Sequence, residues 1–195
     1  MLNLFKDKQL NKILCAIDEE DELALAKLLR KNSPEKLISQ QIEQSVNLLQ
    51  QAIISHKPKQ LKLLLQHHAN FALPITQAEG YLQLALQQEN SLPLLNILLQ
   101  FELNEDPQPL LDECFTHCSE QQLMLHLSLL LNAGARLTDA IFIQALNSEQ
   151  RPLIHFLIQN GANMPENFAA ITSSEETLNY AKKCVEDRKI REMFL

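Results

Sequence analysis

Residues 153–164 read LIHFLIQNGANM, an apolar helical pattern that runs into Gly161. The chain contains only three glycines, and residues 127–137, LSLLLNAGARL, place Gly134 after a similar apolar run. Glycine adopts a left-handed backbone without a Cβ clash, so it commonly follows the last turn of a helix. The two stretches therefore predict a repeated unit whose final helix reverses at a glycine.

The same spacing recurs along the chain. In the unit that starts at the small residue Ala145, apolar residues follow at Ile154, Leu157 and Ile158, and the reversal is at Gly161. The other units repeat this order, with one extra residue in the third copy and four in the fourth. The small residues are Ala16, Ala52, Ala85, Cys114, Ala145 and Ala181, and the predicted reversal residues are Asn32, His68, Glu102, Gly134 and Gly161.

Each unit reads as two helices. The first helix carries the small residue, which allows a close helix approach, and the second carries an apolar stripe at helical spacing. Pro58, Pro93 and Pro152 fall near the start of the second helix, where a missing N–H costs nothing. The pattern predicts one all-α domain over residues 1–195, a solenoid of about six helix-turn-helix repeats with short or degenerate loops. The units are approximately 8–33, 44–70, 79–104, 109–136, 139–163 and 174–195.

Composition limits the classes of function. The net charge is −7, which disfavours nucleic-acid and anionic-membrane surfaces and suits a partner with a basic surface. The N-terminus lacks the apolar run of a signal peptide, and no apolar stretch is long enough to cross a membrane, so we expect a cytoplasmic protein. In that setting the four cysteines, Cys15, Cys114, Cys118 and Cys184, are expected to be thiols rather than disulfides.

The unit resembles the ankyrin repeat. The likeness lies in LLLQHHANF at 63–71, LLLNAGARL at 129–137 and FLIQNGANM at 156–164, which match the family's LLxxGAxxN ending. The opening of the unit departs from the family, because residues 47–50 (NLLQ) and 140–143 (AIFI) stand where it has Thr-Pro-Leu-His. The resemblance implies a scaffold, adaptor or inhibitor, and HEAT- or TPR-like helix pairs are the alternative architecture.

A cluster of soft ligands is the alternative site. Cys114, His117 and Cys118, with His126 further on, could hold a metal or support catalysis. Structural zinc sites usually present two separated ligand pairs, and Cys114 occupies the small-residue position of its unit, so a packed thiol is the simpler interpretation. The sequence contains no phosphate-binding, dinucleotide-binding or metalloprotease motif. We expect no enzyme activity, no catalytic residue, no metal and no cofactor.

Two charged stretches stand at the ends of the chain. Residues 18–22, DEEDE, fall in the first inter-helix turn and are expected to cap the following helix, with an acidic contact patch as the alternative. The basic residues near the C-terminus are expected to form the polar outer face of a capping helix pair; they are Lys182, Lys183, Arg188, Lys189 and Arg191.

The expected function is non-catalytic protein binding by a chain that is monomeric when free. Stacked repeats present a concave groove formed by the first helices and the loop tips. Ile54 is the most informative position, because it aligns with Gln87 and Asn147 and has no evident core role. The predicted partner-binding residues are Asp18, Glu19, Ile54, Ser55, Gln87, Gln88, Asn147 and Ser148.

Overall fold

The regular secondary structure of the described residues is entirely α-helical, which confirms the all-α prediction. The computed structural model describes residues 3–44, 46–67, 80–101, 103, 105–166 and 169–194, with only the backbone described for 3–7 and 44. No strand occurs in these ranges, and none of their helices is both long and apolar enough to span a membrane. The helices are α1 Asn3–Asp18, α2 Glu22–Arg30, α3 Pro34–Gln44, α4 Leu48–Ile54, α5 Pro58–His67, α6 Tyr81–Leu86, α7 Ser91–Gln100, α8 Leu110–His117, α9 Glu120–Asn132, α10 Asp139–Asn147, α11 Arg151–Gln159 and α12 Glu175–Glu192.

The chain divides into two compact units, Met1–Glu105 and Asp106–Leu195. In the first unit α1 packs on α2, α4 on α5 and α6 on α7. The first helices of these pairs contact each other in the order α1, α4, α6, and the second helices in the order α2, α5, α7. The pairs therefore pack in series through like helices, as the repeated spacing predicts.

An additional helix, α3, lies between the first two pairs in sequence and packs against α1. Pro34 is its first residue, a position that tolerates proline. The buried Gln41 side chain of α3 accepts a hydrogen bond from the N–H of Leu48 at the start of α4, with a distance of 2.9 Å. The helix therefore anchors the second pair, and the repeat spacing did not predict it.

In the second unit α8 packs on α9 and α10 on α11, and α10 also contacts α8 and α12. The repeat spacing predicts a helix pair over 174–195, but α12 is one continuous helix that packs on α11 as well. The segment from Lys182 to Lys189 contains neither glycine nor proline, so nothing interrupts the helix. The spacing of the other units would place a buried stripe at Ile190, Met193 and Phe194, but these residues are exposed.

The small residue of each predicted unit lies in the core. Ala16, Ala52, Ala85, Cys114, Ala145 and Ala181 are all buried. Four residues after Ala16, Ala52 and Ala145, the inter-helix turns hold Glu20, His56 and Glu149 at φ values of 58°, 54° and 55°. Three equivalent turns thus share one left-handed position without a glycine. This position was not anticipated, because none of the three residue types marks it in the sequence.

The reversal after the second helix is confirmed at two of its predicted positions. Gly134 and Gly161 have φ values of 101° and 105°. Asn32 was predicted wrongly: it is not among the left-handed residues, and its buried side chain donates to the carbonyl of Leu28 at 2.7 Å, just before α3 begins. His68 and Glu102 lie outside the described residues.

Replacing Gly161 by valine is expected to lower the free energy of unfolding by about 1–2 kcal/mol, because a branched side chain disfavours positive φ. A Cβ at Gly161 would meet no heavy atom within 4 Å, so the cost comes from the backbone and not from a clash. Chemical denaturation measures the change. His56→Gly is the reciprocal control and should be neutral or stabilising, because it relieves the same conformational cost. Equal unfolding energies for Gly161→Val and wild type would contradict the assigned helix end.

Candidate functional site

Six of the eight predicted partner-binding residues belong to the first unit. Each pair follows or ends a first helix: Asp18 and Glu19 at α1, Ile54 and Ser55 at α4, Gln87 and Gln88 at α6. We call these six residues the helix-end surface. Asn147 and Ser148 lie at the end of α10, in the second unit.

Contacts between successive helix pairs bring the residues of the helix-end surface close to one another. Lys57 Nζ, in the turn after α4, lies 2.5 Å from Glu20 Oε1, in the turn after α1. At the opposite ends of α4 and α6, the Asn47 amide donates to the Tyr81 hydroxyl oxygen at 2.7 Å. Helices α4 and α6 are in contact, start side by side and are both short. Their C-terminal ends therefore lie close together.

Ile54 is an exposed apolar residue in the middle helix of this surface. Its side chain is 45% exposed, whereas Ala52 and Ile53 beside it are fully buried. The expectation that Ile54 has no core role agrees with this exposure. Ser55 Oγ accepts a hydrogen bond from the Gln51 side chain at 3.0 Å, and the Gln88 side chain donates to the carbonyl of Leu84 at 2.8 Å, so each polar neighbour is tied to the preceding turn of its own helix.

The acidic run divides between capping and exposed carboxylates. Asp21 Oδ1 accepts from the N–H of Ala24 at 2.8 Å and caps α2, as predicted. Glu20 pairs with Lys57, whose hydrogen bond and charge lower the pKa of the Glu20 carboxyl, and Glu22 lies 3.2 Å from Lys59 Nζ. Asp18 and Glu19 are the exposed acids of the run that neither the described ion pairs nor the α2 cap uses. The acidic contact patch that was considered for residues 18–22 is therefore reduced to Asp18 and Glu19.

Glu19 also lines a cleft of about 460 Å³ between α1 and α2. Its apolar lining includes Cys15, Ala24 and Leu28, and three lysines, Lys12, Lys27 and Lys31, lie around it. The helix-end surface thus continues into a concave region with an apolar floor and a charged rim.

Asn147 and Ser148 make local structural contacts. The Asn147 amide donates to the carbonyl of Ala170 at 3.1 Å, and its oxygen accepts from the N–H of Thr172 at 2.8 Å. Ser148 Oγ donates to the carbonyl of Ala145 at 2.8 Å. The amide nitrogen and the amide oxygen of Asn147 therefore both hold the segment before α12, which gives this residue a role that does not depend on a partner.

A second candidate site lies where α8 meets α9. Cys114 is fully buried in α8, and the half-buried Cys118 ends that helix, with its N–H donating to the carbonyl of Cys114 at 2.9 Å. His126 of α9 is 0% exposed, and its Nδ1 lies 2.9 Å from the carbonyl oxygen of Gln122. Cys114 and His126 both act on the pKa of the Cys118 thiol.

These contacts shift the pKa values of all three groups. The hydrogen bond from Cys114, with that from His126, lowers the pKa of the Cys118 thiol despite its partial burial. The same thiol contact and burial raise the pKa of Cys114. Burial lowers the pKa of His126, but hydrogen bonds to Cys118 and to the Gln122 carbonyl outweigh it, so the pKa is raised overall. The shifts of Cys118 and His126 both favour the charged form of each group.

The cluster differs from the one that sequence proximity suggested. Among the residues that the structure describes, no group of three or more His, Cys, Asp and Glu side chains could hold a metal ion. His117, which is exposed in α8, and His126, which is buried in α9, both act on the pKa of the Cys118 thiol. His126 lies eight positions along the chain from Cys118, on a helix that packs on α8.

Comparison with known proteins finds no matching family model, no matching curated protein and no matching solved structure. The ankyrin resemblance accordingly stays a prediction from the sequence. The contacts, burial and charges of the described residues carry the proposals that follow.

Proposed function

We propose that the chain is a non-catalytic protein-binding module, a scaffold, adaptor or inhibitor, which engages a partner with a basic surface through the helix-end surface of its first unit. The single observation that carries this proposal is Ile54, an apolar side chain 45% exposed among polar helix ends. Binding energy in protein interfaces concentrates at apolar residues that a partner can desolvate, with a polar rim around them.

Charge supports the choice of a basic partner. Asp18 and Glu19 are the exposed acids of the helix-end surface, and the chain as a whole carries a net charge of −7. Complementary charge at the rim of an interface accelerates association and excludes partners of the same sign. A basic protein surface satisfies both features, whereas a nucleic acid would be repelled.

The serial packing of helix pairs supports a solenoid of ankyrin-like repeats as the architecture of this module. Like helices contact in order, with a small residue at the close approach and a glycine after two of the second helices. Solenoids of this kind present their first helices and loop tips as one extended surface and act mainly by binding other macromolecules. We further propose that the chain is cytoplasmic and that it is monomeric when no partner is bound.

The test replaces the apolar centre of the surface and one flanking residue. Ile54→Asp, alone and with Gln87→Arg, is expected to weaken binding of a purified partner by about thirtyfold or more, because a central interface residue can contribute over 2 kcal/mol. The partner is first captured from the native host with the wild-type protein, and its affinity is then measured by calorimetry. Circular dichroism and the denaturation midpoint should stay near wild type, since Ile54 is outside the core.

Leu125→Asp is the matched control, because Leu125 is similarly exposed but lies on α9 of the second unit. It should leave the affinity unchanged. Wild-type affinity in the Ile54 variants would rule out the helix-end surface. Charge reversal of Asp18 and Glu19 to lysine tests the basic character of the partner separately, because it should reduce the association rate and its dependence on salt.

A further inference from the structure

We propose that the cleft between α1 and α2 binds a single helix of a partner protein, one that carries an apolar stripe along its length and acidic side chains at one end. The inference rests on the proposed protein-binding function and adds a second contact to it, next to the helix-end surface, which shares Glu19 with the cleft. It names the structural element and the charge that this part of the partner presents.

The cleft has the length of a short helix contact. It extends along α1 from Asn11 to Glu19, and along α2 from Ala24 to the C-cap Lys31. At 1.5 Å per residue these two walls are roughly 12 Å and 11 Å long, which is about two helical turns. A helix presents apolar residues at i, i+3 or i+4 and i+7 over that distance, so one amphipathic helix can fill the cleft with a single stripe.

The floor of the cleft is apolar and open to a partner. Cys15 is exposed, and Ala24 and Leu28 are half-buried. Leu25 and Leu29, one position further along α2, are buried. Helix α2 therefore packs one face into the core and lines the cleft with another. The short side chains of Cys15 and Ala24 allow a close approach, as the buried small residues of the first helices do within this unit.

The packing of the first unit shows what kind of element covers such a groove. Helices α4 and α5 pack on α1 and α2, and α6 and α7 pack on α4 and α5. All residues that line the cleft belong to α1, α2, their connecting turn and the α2 C-cap, and none belongs to α3, α4 or α5. The cleft is therefore a further groove of the first pair, to which another helix can be added in the same way.

The exposure of the cleft favours a helix over a small molecule. Most of the residues that line it are exposed. A small molecule bound there would keep much of its surface in water, whereas sites for small ligands enclose most of the ligand. A helix covers both walls at once and buries the apolar floor between them.

Charge determines which end of the partner helix is acidic. Glu19 and Asp21 lie at the turn between α1 and α2, whereas Lys12 and Lys31 lie at the other end of the cleft and Lys27 between them. All three lysines are exposed, and the ion pairs found among the described residues use none of them. Acidic side chains of the partner helix complement this lysine end, and the basic partner surface proposed above complements the turn end.

The test uses a synthetic amphipathic helix as the probe. The peptide has about fifteen residues, because shorter helices are marginal in water. Leucines at helical spacing form one face, and two glutamates lie in its first turn. A matched peptide carries lysines in place of the glutamates. Wild type should bind the glutamate peptide at least about fivefold more tightly in fluorescence anisotropy, although its net charge of −7 favours the lysine peptide everywhere else on the surface. Equal affinities, or no binding of the glutamate peptide below about 1 mM, would overturn the proposal.

Cys15 reports whether the peptide occupies the cleft, because its exposed thiol lies in the floor. A saturating amount of the glutamate peptide should slow alkylation of Cys15 by iodoacetamide at least about tenfold, as measured by peptide mass spectrometry. Binding without protection of Cys15 would place the helix elsewhere and contradict the proposal. Decanoate at the same concentration tests a small anionic ligand: protection equal to that by the peptide would replace the helix by such a ligand.

Reversal of the lysine charges removes the effect of the peptides' own helix stability, because only the ratio of their two affinities is compared. In Lys12→Glu/Lys31→Glu the preference for the glutamate peptide should fall at least about tenfold. Lys36→Glu/Lys62→Glu is the matched control, since it makes the same charge change at exposed residues outside the cleft, and it should keep the preference. An equal change in both variants would show that no local site exists. The probe contains no partner sequence, so its failure would leave the Ile54 test of the proposed function standing.

Discussion

Replacing Leu64, Leu130 or Leu157 by alanine is expected to lower the free energy of unfolding by about 2–5 kcal/mol, the range for truncation of a buried leucine. All three side chains are 0% exposed and lie on the second helices α5, α9 and α11. Each substitution removes apolar contacts and leaves a cavity that a close-packed helix interface fills only in part. Chemical denaturation of the purified variants measures the loss.

Leu23→Ala provides the matched control, since this leucine of α2 is 85% exposed. Its unfolding energy should stay within about 0.5 kcal/mol of wild type, as for most surface substitutions. Losses below that value at all three buried leucines would show that the apolar stripe has been assigned to the wrong face of the helices.

The helix pairs could be predicted from the sequence because the signals that form them are local. A stripe at helical spacing defines the buried face, and proline and glycine mark where second helices start and end. Pro58 begins α5, Pro152 is the second residue of α11, and Gly134 and Gly161 follow α9 and α11 in the left-handed conformation. The buried small residues allowed the first helices to be aligned even where the spacing varied.

Elements that depend on tertiary contacts could not be predicted in this way. Asn32 has a residue type that suits a reversal, yet Ser33 and Pro34 start a further helix, and a side-chain hydrogen bond to Leu28 takes the place of the turn. The left-handed turns at Glu20 and Glu149 occur in a residue type that does not favour that conformation. Packing of the helices on either side fixes these turns, and sequence propensity does not.

The candidate sites show the same limit. Exposure of Ile54 followed from its alignment with polar residues in other units, whereas the local role of Asn147 depends on Ala170 and Thr172, more than twenty residues away. By sequence spacing His126 was only a distant member of the cluster of Cys114, His117 and Cys118, whereas in the folded chain His126 is buried in α9 and acts on the pKa of the Cys118 thiol.

Arg188→Ala is expected to lower the free energy of unfolding by roughly 3 kcal/mol, because hydrogen bonds to a charged group contribute about 1.5–3 kcal/mol each. Arg188 is only 8% exposed, although the sequence places it in a basic, solvent-facing tip. Its guanidinium donates to the carbonyl of Ile158 and to Asn163 Oδ1, both at 2.8 Å. The carbonyl belongs to the last turn of α11, where helix carbonyls lack partners within the helix. Removing the guanidinium therefore breaks both hydrogen bonds that join α12 to the end of α11, and the Ile158 carbonyl keeps only its bond from the Gly161 N–H.

The comparison with two further variants separates this contact from loss of charge alone. Lys189→Ala removes the same charge from an exposed neighbour in α12 and should change the unfolding energy by less than about 0.5 kcal/mol. Arg188→Lys keeps the charge but lacks the planar fork that reaches two acceptors, so an intermediate loss is expected. Urea denaturation followed by circular dichroism ranks the three. Only Arg188 makes the hydrogen bonds to Ile158 and Asn163. Equal midpoint urea concentrations for Arg188→Ala and Lys189→Ala would therefore show that the buried guanidinium does not hold α12 on α11.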